Sequence, residues 1–195
     1  TLINPNSYLL YTGMIPGYIA GHYSLEDIRV DLVKLCEFAK VRFIKEKVED
    51  ISIAENKIFL ENSNIIGFDI LSLDVGVMSK NKSFSSHYTP IKPLNNFVKN
   101  WDAYLKEIIK KTLSPNILIL GGGVAGVEIA LSINYKFKNM NIRNYNILIA
   151  DRGKILKSVN KRSQSLLKKE VLNQKIRLFE NIKNDDEIFF NKLFK

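Results

Sequence analysis

Gly121, Gly123 and Gly126 stand in the spacing G-x-G-x-x-G, inside Asn116-Ile117-Leu118-Ile119-Leu120-Gly121-Gly122-Gly123-Val124-Ala125-Gly126-Val127-Glu128. This spacing fits the handling of a diphosphate. Gly121 permits a tight turn, Gly123 lets the backbone approach a pyrophosphate, and Gly126 lets a helix pack close to the preceding strand. The start of that helix would offer free N–H groups and a positive dipole end to the phosphates. A second apolar run, Ile147-Leu148-Ile149-Ala150, ends on Asp151. An acid there is placed to hydrogen-bond a ribose 2′-hydroxyl, although it lies somewhat farther from the glycines than the usual ~20 residues. A strand–helix turn without a ligand is the bland alternative. The order of strand, glycines, helix, strand and acid favours the nucleotide.

Other groups carry less. His22 and His87 lie far apart, without metal-ligand spacing, so no metal site is expected. Asp50, Asp69 and Asp74 form no acid–base pair, and Ser24, His22 and Asp27 are too close in sequence for a nucleophilic triad. No G-x-S-x-G is present. The single Cys36 rules out an intramolecular disulfide and a C-x-x-C redox pair; among Leu32, Val33 and Leu35 it reads as a buried, inert thiol.

The elements that would position the glycine motif follow from periodicity. Residues 117–120 read as a buried strand, and Val127, Ile129, Ala130, Leu131 and Ile133 as a helix. Residues 145–150 read as a second strand, 163–172 as a helix and 176–179 as a third parallel strand. Upstream, 1–4 reads as a strand end and 6–21 as a shaped loop, on its glycines and Pro16. Ser24 is expected to cap a helix bearing Ile28, Leu32, Leu35, Cys36 and Ala39. Residues 41–53 and 57–60 read as strands joined by a hairpin turn at Glu55-Asn56. Residues 68–76 read as a further strand, 78–93 as a loop or linker, and 93–112 as a helix carrying Phe97, Trp101, Leu105 and Ile108.

The chain has 195 residues, 46% hydrophobic, enough for one large or two small domains with a real core. No apolar run reaches the ~18 residues that span a bilayer. No signal-peptide pattern opens the chain. Thr1-Leu2-Ile3 reads as a strand in mid-fold, and a fragment is expected. The net charge of +9 is spread along the chain without a basic cluster interleaved with aromatics, which argues against nucleic acid. Lys154, Lys157, Lys161, Arg162, Lys168 and Lys169 form a looser group. It suits phosphate or lipid headgroups as well as the outer face of one helix.

From Thr1 to about Ile182 these segments resemble the FAD-dependent pyridine nucleotide oxidoreductases. The resemblance is strongest to type II NADH dehydrogenases and to the related oxidoreductases fused to selenophosphate synthetase. It implies an α/β fold of two nested Rossmann-like domains, with the FAD domain incomplete: residues 1–92 as partial FAD-binding domain and 93–195 as NAD(P)H-binding domain. Residues 1–5 are similar to the second strand of the FAD domain, and residues 8–17, with Tyr11 and Gly13, to the segment that approaches the flavin ring. Val48 resembles the residue whose backbone lies beside the FAD adenine. Asp74-Val75-Gly76 is similar to the turn that closes over FAD. Gly121, Gly122, Gly123, Val124, Ala125 and Gly126 match the second glycine motif, for the nicotinamide cofactor, and Glu128 would point toward nicotinamide and flavin as the catalytic-site acid.

The departures are specific. An FAD glycine motif is absent, Asn4 stands where many relatives carry an acid, and Asp74-Val75-Gly76 replaces A-T-G. No C-x-x-x-x-C is present, which excludes the disulfide reductase branch for these residues. The resemblance therefore implies hydride transfer from NAD(P)H to FAD and onward transfer to a quinone or other acceptor. NADH is expected over NADPH because Asp151 would repel a 2′-phosphate, with Arg152 beside it pulling the other way. A cytoplasmic location is expected, or one peripheral to the inner face of a membrane through segments outside these residues, and a homodimer is compatible. The alternatives are a nucleotide-binding module without turnover and a structural or regulatory partner domain.

Overall fold

The computed structural model describes residues 1–76, 89–111 and 113–182. They form two compact units: Thr1–Thr12 with Leu25–Asn100, and Gly13–Ser24 with the chain from Trp101 onward.

In the first unit, β1 (Leu2–Ile3) and β4 (Phe43–Ile44) pair in parallel, and β2 (Tyr8–Leu10) pairs antiparallel with β3 (Arg29–Asp31). Between β3 and β4 lies helix α2 (Leu32–Phe38), which buries Leu32 and Cys36. Its cap is Asp31, whose carboxylate accepts from Val33 N–H and Lys34 N–H. The helix expected to begin at Ser24 thus begins later: residues 25–28 form turns, 29–31 a strand, and Asp31 supplies the acceptor that starts the helix. A meander follows, β5 (Val48–Ser52), β6 (Lys57–Leu60) and β7 (Ile65–Gly67), all antiparallel. Asn56, at φ 53°, makes the expected hairpin turn between β5 and β6. The alternating pattern of β6 buries Ile58 and Leu60. Residues 68–76, expected as a strand, are irregular. A strand needs a ladder partner, and no described strand pairs with this segment; Ile70 and Val75 are 93% and 88% exposed. The linker expected at about 78–93 lies mostly outside the described residues.

Helix α3 (Leu94–Lys111) carries the chain into the second unit. There the expected pattern is realised: β8 (Asn116–Leu120), α4 (Val124–Asn139), β9 (Asn146–Ala150), α5 (Lys161–Asn173) and β10 (Arg177–Phe179). The three strands are parallel in the order β10-β9-β8. Central β9 is buried along Ile147-Leu148-Ile149-Ala150, as a two-sided parallel strand must be. Val127, Ile133 and Phe137 of α4 and Val171 of α5 complete the core.

Residues 6–21, expected as a loop, also contain regular structure. Besides β2 they hold a single 3-10 turn at Thr12–Met14 and helix α1 (Ile15–Ala20), which packs on α4. Pro16 suits the first turn, and Gly21 ends the helix in the left-handed region at φ 87°. Ile15 and Ile19, one turn apart, are 3% and 0% exposed. Tyr18 Oη donates to Asp102 Oδ1 at 2.6 Å. Burial and the Asp102 carboxylate both raise the Tyr18 phenol, so it stays protonated as the donor.

Candidate nucleotide site

The site is the turn from β8 into α4. Gly121 has φ 108°, a region that favours glycine, and its N–H donates to Ala150 C=O at 2.8 Å, tying the turn to the end of β9. Gly123 is the N-cap of α4 and extended. The first bond of the helix runs from Val127 N–H to Gly123 C=O, leaving the N–H groups of Val124, Ala125 and Gly126 without a carbonyl four residues back. A Cβ on Gly121 or Gly123 would stand in open space, with no protein atom within 4 Å. A Cβ on Gly126 would overlap the Gly121 carbonyl oxygen. Open space above two glycines, beside free N–H groups and a positive helix end, fits a diphosphate such as that of a nicotinamide cofactor.

Asp151 stands at the tip of β9, with Oδ2 accepting from Gly122 N–H at 2.6 Å and Oδ1 from Gly153 N–H at 2.7 Å. Gly122 is held on its other side as well: its C=O accepts from Leu156 N–H at 2.6 Å. A Cβ on Gly122 would come within 2.5 Å of Ile155 Cγ1 and 3.2 Å of Asp151 Cβ. The middle glycine therefore docks residues 151–156 against the turn. Ile155 and Leu156 there are fully buried. Glu180, just past β10, accepts from Ile155 N–H at 2.6 Å and from Lys168 Nζ at 2.5 Å. The Lys168 bond and charge hold its carboxyl below the usual range, helped by the Ile155 N–H and Lys154. Ile155, Leu156 and Glu180 escape sequence reasoning, since only the fold brings them to Gly122. The run of three glycines was the one local signal.

Glu128 sits in the second turn of α4, exposed. The residues assigned to flavin are spread. Tyr11 is 55% exposed, its N–H on Ile28 C=O at 2.8 Å. Gly13 lies in the 3-10 turn of the second unit. Val48 opens β5 opposite Leu60, at an irregularity in the ladder. Asp74 and Gly76 are exposed in the irregular segment after β7, with Gly76 at φ 66°. Among the described residues no second glycine turn opens a helix, so these residues do not by themselves make a diphosphate cradle for FAD. No group of three or more histidine, cysteine or acidic side chains arranged to hold a metal occurs among the described residues, and no described helix is long and apolar enough to cross a membrane.

No known family profile and no curated protein matches the chain. Its fold has solved counterparts. Sulfide:quinone oxidoreductase from the hyperthermophilic bacterium Aquifex aeolicus is similar at 22% identity and a TM-score of 0.69, over 92% of this chain and 44% of that one. NDH2 from Plasmodium falciparum, solved with NADH, is similar at 18% identity and a TM-score of 0.74, over 92% and 42%. A ferredoxin reductase from Rhodopseudomonas palustris is similar at 15% identity and a TM-score of 0.70, over 93% and 43%. The chain spans less than half the length of these proteins. What it shares with them at these identities is architecture: the chain has the FAD/NAD-binding Rossmann-like fold of these oxidoreductases.

Proposed function

We propose that the chain is the nicotinamide-cofactor domain and part of the flavin domain of an oxidoreductase that takes a hydride from NADH to FAD. The observation that carries this reading is the turn at Gly121-Gly122-Gly123. It is clamped by Asp151, open above Gly121 and Gly123, and backed by the free N–H groups of α4. When bound, the nicotinamide supplies the hydride, and the flavin accepts it and passes electrons on. The protein's own work is alignment. The N–H groups of Val124, Ala125 and Gly126 bind the diphosphate, and the bond from Gly122 to Asp151 keeps the turn in shape before the ligand arrives. Glu128 orients the nicotinamide end. Tyr11, Gly13, Val48, Asp74 and Gly76 serve the flavin. A quinone is the acceptor favoured by the likeness to sulfide:quinone oxidoreductase; putidaredoxin, the partner of another similar reductase, offers a redox protein instead.

Titration of NADH into the chain tests the reading, with 1:1 binding expected. FAD should bind the 195-residue chain weakly, because the described residues provide no second set of backbone donors and an undonated diphosphate is costly to desolvate. A longer polypeptide containing the chain should be yellow and should oxidise NADH. Absence of NADH binding would overturn the proposal. NADH binding in a colourless longer polypeptide would favour the module without turnover.

A further inference from the structure

The charges around Asp151 are not arranged as a ribose-selecting acid requires. Both carboxylate oxygens already accept backbone N–H groups, from Gly122 and Gly153. Its backbone is committed too: Asp151 N–H donates to Phe179 C=O at 2.9 Å, and Asp151 C=O accepts from Ile182 N–H at 3.1 Å. The carboxylate ties the glycine turn to the following loop, and two N–H dipoles offset its charge. The nearby acid, Glu180, is occupied by Lys168 and Ile155 N–H. Against these stand Arg152, Lys157, Lys161 and Arg162, all exposed and in no ion pair among the described residues. Lys154, also exposed, shares its field with Glu180. The first turn of α5, capped by Asn160, adds a positive helix end to this stretch.

We propose that selection at the adenosine ribose rests on Arg152, with Asp151 as a positioning residue, so that the site binds NADPH as readily as NADH. This rests on the nucleotide reading given above. An oxygen of Asp151 that accepts one N–H keeps a lone pair for a ribose hydroxyl, which retains NADH. A 2′-phosphate meets a local surplus of cations, and a guanidinium fork matches two of its oxygens. Arg152 directly follows the tip of β9 and is exposed.

The test is equilibrium titration of both cofactors into the chain, into R152E and into D151N, at low and high salt. The dissociation constants of the unaltered chain should agree within about threefold, with NADPH the more salt-sensitive. R152E should weaken NADPH roughly tenfold more than NADH, the scale of one charge-assisted hydrogen bond. D151N should weaken both cofactors by the same factor and lower the melting temperature, because its amide nitrogen cannot accept one of the two backbone N–H groups. NADPH binding more than about tenfold weaker than NADH, or a D151N variant whose preference moves toward NADPH, would overturn the inference alone. Failure of both cofactors to bind would overturn the nucleotide reading, and the inference with it. Should D151N not fold, the R152E comparison decides.

Discussion

At the scale of the residue, one added methyl group separates the roles of Gly126 and Gly123. At Gly126 the added Cβ meets the Gly121 carbonyl oxygen, a backbone atom that cannot swing away. Alanine would gain about 1 kcal/mol of helix propensity, but overpacking against fixed backbone costs about 1–3 kcal/mol. Gly126→Ala should therefore unfold at lower urea and bind cofactor poorly. At Gly123 the added methyl meets nothing, and the extended backbone suits alanine. Gly123→Ala should match the parent in urea within about 0.5 kcal/mol and still lose NADH affinity in titration, because the methyl stands where the diphosphate comes. Equal losses of stability in the two variants would count against the turn as described. The spacing of Gly121, Gly123 and Gly126 made this turn legible in the sequence. The part of Gly122 was not legible, because its partners Asp151, Ile155 and Leu156 lie about thirty residues away and are brought back only by the βαβ crossover.

At the scale of the element, the loop from Asp151 to Leu156 is held from below by Glu180. The Glu180 carboxyl titrates below its ordinary value of 4.5, chiefly through Lys168. A lowered folded value means that its stabilisation is complete above the unfolded value and fades as pH falls through the folded one. Amide exchange at Ile155, corrected for intrinsic rate, should be flat from neutrality down to the ordinary glutamate value and should rise only as pH falls through the lowered folded value. Glu180→Gln should remove that rise; a rise that persists in the variant would place its origin elsewhere. Elements of this unit were legible because their apolar periods are long and regular. Those of the first unit were less so. Helix α1 reads Ile15-Pro16-Gly17-Tyr18-Ile19-Ala20, a sequence of poor local propensity, held by the burial of Ile15 and Ile19. Residues 68–76 err the other way: they carry strand residues, yet a strand is a property of a pair.

At the scale of the whole molecule, Gly13–Ser24 belongs with the second unit although almost ninety residues of the first unit's sequence surround it. Polypeptide 93–195 alone would lack α1, its bond from Tyr18 to Asp102, and the contact of His22 with Tyr135 at 4.8 Å. Burial of Ile15 and Ile19 is worth about 1.5–3 kcal/mol each as an upper estimate. The 93–195 polypeptide should therefore unfold at a distinctly lower urea concentration than the full chain's second unit. Addition of a peptide spanning 13–24 should recover part of the difference, and a midpoint unaffected by the loss of α1 would contradict the division of units.

The same segment sets a schedule for synthesis. Ile15 and Ile19 leave the ribosome well before α4, against which α1 packs and which follows roughly a hundred residues later; at ~5–20 residues per second that is a wait on the order of ten seconds. For that interval two large aliphatic side chains have no place of rest, and the nascent chain offers them to any passing chaperone or neighbouring polysome.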